Sequence, residues 1–230
     1  VSGDSAPYDE AVDESVIARP AYEMVLGTIA SLDVPALRER ESNIEHEQRA
    51  EGITFRVSGQ ERAQVFPIDL VPRIVAADEW DLLSHGLAQR VRALDAFLRD
   101  VYTDQAIVAD GIVPLQTLDH AAGFRSTGRL VGNALRAHVA GIDLVCDRAG
   151  HWLVLEDNLR VPSGVAYAIA NRRLLSGYAP ELTPTDSVAD VTHVPRMLLE
   201  TLRAAAPPHA SDEPQVVLLS AGWEDSAWYE

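Results

Sequence analysis

The apolar positions along the chain change their period several times, and each change marks an element. Pro20 opens a helical pattern in which Tyr22, Val25, Leu26 and Ile29 share one face. Asp33 and Pro35 signal the start of a second, heavily charged helix running to about Ala50. Ile53 to Val57 then alternates as a strand, and Ala63 to Ile68 is its expected partner across the Ser58–Arg62 turn. Asp78 is expected to cap a long helix whose buried stripe includes Leu83, Leu87, Val91, Leu94 and Leu98. Pro114 to Gly132 reads as loop and short helix. Gly141–Cys146 and His151–Asp157 read as two strands around an Asp147–Gly150 turn. A loop from Leu159 to Gly164 leads into a helix over about Val165–Leu175, and Val191–Ala205 is a further helix with Pro195 in its first turn. Gln215–Ser220 is apolar on both faces, as a central parallel strand is. Asp225 or Ser226 is placed to cap a helix after it, so the natural chain is expected to continue past Glu230. The pattern predicts a mixed α/β fold.

Composition narrows the function. Among 230 residues, 35 acids face 19 bases, for a net charge of −16. Phosphate backbones need a basic face, so nucleic acid is an unexpected partner. Every base is arginine, so no lysine is available for a Walker motif or a Schiff base. The single cysteine, Cys146, excludes an internal disulfide framework. No apolar run approaches membrane-spanning length and the acidic start lacks a signal-peptide core, so the expected compartment is the cytoplasm.

The chemistry concentrates in the second hairpin. If Cys146 pairs with His151, Asp143 lies opposite Val154, and Trp152, Val154, Glu156 and Asn158 share its face while Asp157 points away. Glu156 is then the diagonal neighbour of Asp143, roughly 7–8 Å away between backbones and within reach of a shared cation. Two carboxylates and an amide oxygen suit Mg²⁺, which also takes water and phosphate oxygens. A one-residue slip would destroy the shared face. Carboxylates at a hairpin end are also commonly just solvated, so spacing alone leaves both readings open. The histidines show no HxH or HxxxH spacing, and Gly123–Arg129 lacks the lysine of a phosphate loop.

The stretch Val154-Leu-Glu-Asp-Asn-Leu-Arg-Val-Pro-Ser-Gly-Val-Ala-Tyr, preceded by Gly141-Ile-Asp-Leu-Val and followed by Asn171-Arg172, resembles the circularly permuted ATP-grasp type 2 family. Members are similar to the synthetase domain of glutathionylspermidine synthase. Phe66-Pro-Ile-Asp-Leu-Val-Pro-Arg, Gly86–Leu98 and Ser226-Ala-Trp-Tyr-Glu fit the same pattern, so the resemblance covers nearly everything after the first 15–20 residues. It implies a partial permuted ATP-grasp fold, ATP and Mg²⁺ as cofactors, and Asp143, Glu156 and Asn158 as metal ligands. The implied reaction activates a substrate carboxylate as an acyl phosphate, which an amine then displaces. Arg160 and Arg136 are the candidates to stabilise transferring phosphate, Arg160 and Asn158 to contact nucleotide, and Ser163 to hydrogen-bond phosphate or carboxylate.

The family hairpin usually carries an arginine where Cys146 stands. The resemblance also implies nucleotide-gripping lysines and a lid further along the chain, so with no lysine and an early stop the present stretch alone is an expected non-catalyst. The alternative reading is a binding or scaffold module that keeps the fold without turnover. The expected organisation is an acidic tail over 1–18, a helical and mixed region over 19–135, a metal-binding hairpin with its following helices over 136–206, and the start of a further α/β unit over 207–230.

Overall fold

The computed structural model of the chain describes residues 8–56, 62–131, 134–183, 188–220, 222, 225 and 228–230. After a 3₁₀ turn at Pro20–Tyr22 come helices α1 (Glu23–Ser31) and α2 (Val34–Ala50). Asp33 caps α2, its Oδ1 accepting from the Ala36 amide at 2.8 Å, so one amide of the first turn has a partner. The short strands β1 (Thr54–Phe55) and β2 (Gln64–Val65) pair antiparallel. Most of the Ser58–Arg62 turn expected between them lies outside the described residues. Helix α3 spans Ala77–Tyr102, and α4 (Ala106–Ala109) and α5 (Leu115–Asp119) follow. Strands β3 (Gly141–Cys146) and β4 (Trp152–Asn158) form the second antiparallel pair. Helices α6 (Val165–Tyr178) and α7 (Val194–Ala204) are the last of the described α-helices. Among the described residues no helix is long and apolar enough to cross a membrane.

The core gathers Val25 of α1, Ile44 of α2, Ile53, Leu70, and Tyr167, Ala170, Leu174 and Leu175 of α6, with Ala179 and Leu182 closing it. It therefore draws on segments more than a hundred residues apart. The aromatic packing within it is specific. Phe55 stacks on Phe66 at 4.1 Å between ring centres, and Phe66 meets Tyr167 edge-on at 4.6 Å. Polar groups inside it are paired. Gln48, 1% exposed, donates to the Phe66 carbonyl, and the Tyr167 hydroxyl donates to the Thr54 carbonyl.

Three expectations change. Asp78 is not the cap of α3. Ala76 holds that position without a side-chain bond, and Asp78 sits in the first turn, where its carboxylate still favours the positive end of the helix dipole. The α3 stripe is only half-buried, because a two-stranded hairpin, and not a full sheet, lies against the helix. Gln215–Ser220 forms no strand, and Leu218 and Leu219 are 87% and 92% exposed. An interior strand needs neighbours to satisfy its backbone, and among the described residues none adjoins it.

Candidate active site on the second hairpin

The β3–β4 turn is set by Asp147. Its Oδ1 accepts from the Ala149 and His151 amides, both at 2.8 Å, which holds its carboxyl below the usual aspartate range. Gly150 closes the turn at φ +83°, a conformation that disfavours side chains with a Cβ. The strands then pair Cys146 with Trp152, Val145 with Leu153 and Leu144 with Val154. That is one residue off the expected register.

A bulge corrects it. Between Asp143 and Leu144 the ladder shifts, Leu155 is left over, and Asp143 stands directly opposite Glu156, Ile142 opposite Asp157 and Gly141 opposite Asn158. Without the bulge Asp143 would face Leu155, and Glu156 would turn to the other side. With it, Asp143, Glu156 and Asn158 share one face, and directly paired residues bring their Cβ atoms within roughly 5 Å. The expectation that Trp152 and Val154 share that face is overturned. The bulge sends them to the other side, with Ile142, Leu144, Cys146 and Asp157.

That other side is docked on α3. Trp152 Nε1 donates to Glu79 Oε1 at 2.6 Å, and Arg90 grips Asp157 with two bonds, Nε to Oδ1 at 2.7 Å and Nη2 to Oδ2 at 2.5 Å. The Arg90 guanidinium holds the Asp157 carboxyl below its ordinary range. Asp143 and Glu156 meanwhile remain exposed to solvent. Cys146 lies on the docked side, and burial pushes its thiol pKa up.

The loop after β4 returns to the open face. A Cβ on Gly141 would lie 2.8 Å from Pro162 Cβ and 3.9 Å from Asn158 Cβ. Pro162 therefore occupies the space above Gly141, on the side of Asp143 and Asn158. This brings the loop bearing Arg160 and Ser163, both exposed, to the rim of the candidate site. Arg136 is placed elsewhere. Its Nη1 donates to the Gly128 carbonyl at 2.9 Å and its guanidinium stacks over Tyr102.

Among the described residues no three His, Cys, Asp or Glu side chains gather as a cage. The set at hand is two carboxylates plus an amide oxygen. It fits Mg²⁺, which prefers hard oxygen donors and keeps positions for water and phosphate.

Sequence reasoning missed Glu79 and Arg90, although a signal was present. Positions 79, 83, 87, 90, 94 and 98 fall on one helical stripe, so both charges sit within the apolar face that meets the hairpin. It also missed Asp95, 3% exposed, which accepts from the Arg136 and Ala137 amides and pairs with Arg99, tying the approach to β3 onto α3. Glu230 was missed as well. Its carboxylate accepts from the Gly164 and Ala166 amides at the start of α6. No local pattern reveals the hold of Asp95 on the 136–137 amides or that of Glu230 on α6, because those partners are distant in sequence.

Comparisons with known proteins identify the family of the chain. The model of the circularly permuted ATP-grasp type 2 family matches residues 72–230. A Frankia alni protein named "Putative glutamate--cysteine ligase 2-3" is 52% identical over 98% of this chain, which spans 26% of that relative. Uncharacterized proteins of Mycobacterium tuberculosis and Synechocystis are 41% and 40% identical over 97% of the chain, which spans 40% and 47% of their lengths. The chain belongs to the circularly permuted ATP-grasp type 2 family.

Proposed function

We propose that this chain carries the magnesium-binding part of an ATP-dependent carboxylate–amine ligase that works through an acyl phosphate, with Asp143, Glu156 and Asn158 as the metal ligands. The observation that carries this reading is the direct pairing of Asp143 with Glu156, with Asn158 two residues on, across a bulge that leaves all three on an open face. Family membership supports the phosphoryl chemistry. When bound, Mg²⁺ would offset negative charge on transferring phosphate oxygens.

The chain's own residues divide the remaining work. Asp143 and Glu156 supply the negative charge that draws a cation to the face, and Asn158 supplies a neutral oxygen. Arg160, on the rim, offers a planar fork to phosphate oxygens, and the Ser163 hydroxyl donates to phosphate or to the substrate carboxylate. The attachment of Arg136 to Gly128 and Tyr102 favours a role in holding the segment before β3. The name of the Frankia alni relative makes glutamate and cysteine the first substrate pair to try.

The test is ADP release from Mg-ATP in the full-length protein, with glutamate and cysteine and then with pooled amino acids and amines. Glu156→Ala and Asn158→Ala are each expected to cut turnover by about 100-fold, the scale on which loss of an electrostatic stabiliser is felt. Turnover equal to wild type in both variants would sink the metal assignment.

A further inference from the structure

We infer that Arg90 is a positioning residue for the candidate metal site, setting from the far side of the hairpin the direction in which Glu156 and Asn158 point. The inference rests on the proposed metal site and adds a residue that touches neither cation nor substrate.

The argument begins with the bulge. An extra residue in one strand loosens the ladder locally, so pairing alone holds the end of β4 weakly to one pleat phase. Asp157 lies between Glu156 and Asn158, and its side chain must leave the strand opposite to theirs. Fixing Asp157 therefore fixes both. Arg90 does so with two bonds to the two carboxylate oxygens, which restrict the carboxylate's rotation as well as its position.

The second anchor, Trp152 to Glu79, lies on the other side of the bulge. Glu79 and Arg90 are about 16 Å apart along α3 at 1.5 Å per residue. Trp152 pairs with Cys146 and Asp157 with Ile142, four residues apart on β3, so the anchored span of β4 is about 13 Å at 3.3 Å per residue. Both anchors form across that span, and the bulge is clamped from both ends. A rotation of the β4 end that turned Glu156 towards α3 would break both Arg90 bonds.

The experiment uses Mn²⁺ as an oxygen-seeking probe of the site, titrated into the 230-residue chain with backbone NMR as readout. Line broadening centred on Asp143, Glu156 and Asn158 is expected in the parent and absent from Glu156→Ala. Arg90→Ala is expected to weaken Mn²⁺ binding at least tenfold. Arg90→Lys, which keeps the charge and loses the fork, is expected to recover only part of that. Arg49→Ala, which removes an exposed ion pair with Glu45 on α2, serves as the control and keeps parental affinity.

A purely structural role for Arg90 would lower the melting temperature while leaving Mn²⁺ affinity at the parental value, and that result overturns the inference. If the parent binds Mn²⁺ no better than Glu156→Ala, the metal reading itself fails. Positioning is then decided by cross-strand contacts between Asp143 and Glu156 in nuclear Overhauser spectra. Their loss in Arg90→Ala sustains it, and their retention overturns it.

Discussion

At the scale of single residues, a glycine and an aspartate control the site without donating to it. Gly141 leaves room for Pro162, and a methyl group there would meet the rigid proline ring at 2.8 Å. Gly141→Ala is expected to push the 159–164 loop outward and destabilise the chain by about 1–3 kcal/mol, the usual range for overpacking. Denaturant unfolding measures this, and a midpoint equal to wild type would show that the loop moves freely.

Asp157 predicts a pH response. Its folded pKa is depressed by Arg90, so its contribution to stability is fully present above the unfolded aspartate value, about 4. That contribution is lost as pH falls through the lower folded value. Amide exchange in β4 is therefore expected to quicken on acidification below about pH 4. Asp147, depressed by its turn amides, contributes in the same direction, so Arg90→Ala is expected to reduce the acid response without abolishing it.

At the scale of elements, the hairpin and α3 behave as one unit joined by polar anchors at each end and a half-buried apolar stripe between them. Deleting Leu155 removes the bulge yet keeps Asp143 opposite Glu156, since the regular ladder then reaches the same pairing. Trp152 then still pairs with Cys146 and Asp157 with Ile142, so both anchors keep their spacing on α3. Expected results are a retained hairpin and an unchanged Trp152 emission, with its indole still on Glu79. A red shift would mean that the bulge is needed to seat the indole. This element was partly legible from the sequence. The two strands, their turn and the common face of Glu156 and Asn158 follow from alternation. The shared face with Asp143 was reached by a register one residue off and without the bulge. Two shifts of one residue restore parity, which is why the grouping of the three residues agrees with the structure while the pairing does not.

At the scale of the molecule, the described core is built from α1, α2, α6 and the β1–β2 region, while the 194–219 stretch carries apolar side chains that nothing described covers. Met197, Leu198, Leu199 and Leu202 of α7 are all partly exposed, and Val216–Leu219 more so on the whole. Contiguous exposed apolar surface of this kind drives association. The 230-residue chain is therefore expected to bind a hydrophobic dye and to self-associate. Leu218→Gln with Leu219→Gln should lower both, measured by dye fluorescence and sedimentation. Dye binding unaltered by the pair would place the sticky surface elsewhere.

Local rules acting on neighbouring residues determined much of this protein by sequence alone. The boundaries of most helices, the Asp33 cap, the Asp147–Gly150 turn and the oxygen-donor character of the candidate site are set by backbone preference and side-chain chemistry within a few positions. Only the tertiary structure decided the bulge at Leu155, the grip of Arg90 on Asp157, the seat of Pro162 above Gly141 and the exposure of Val216–Leu219. Each depends on groups far apart in the chain meeting or failing to meet. Such contacts are selected by the free energy of the whole packed arrangement, which no short window of residues contains.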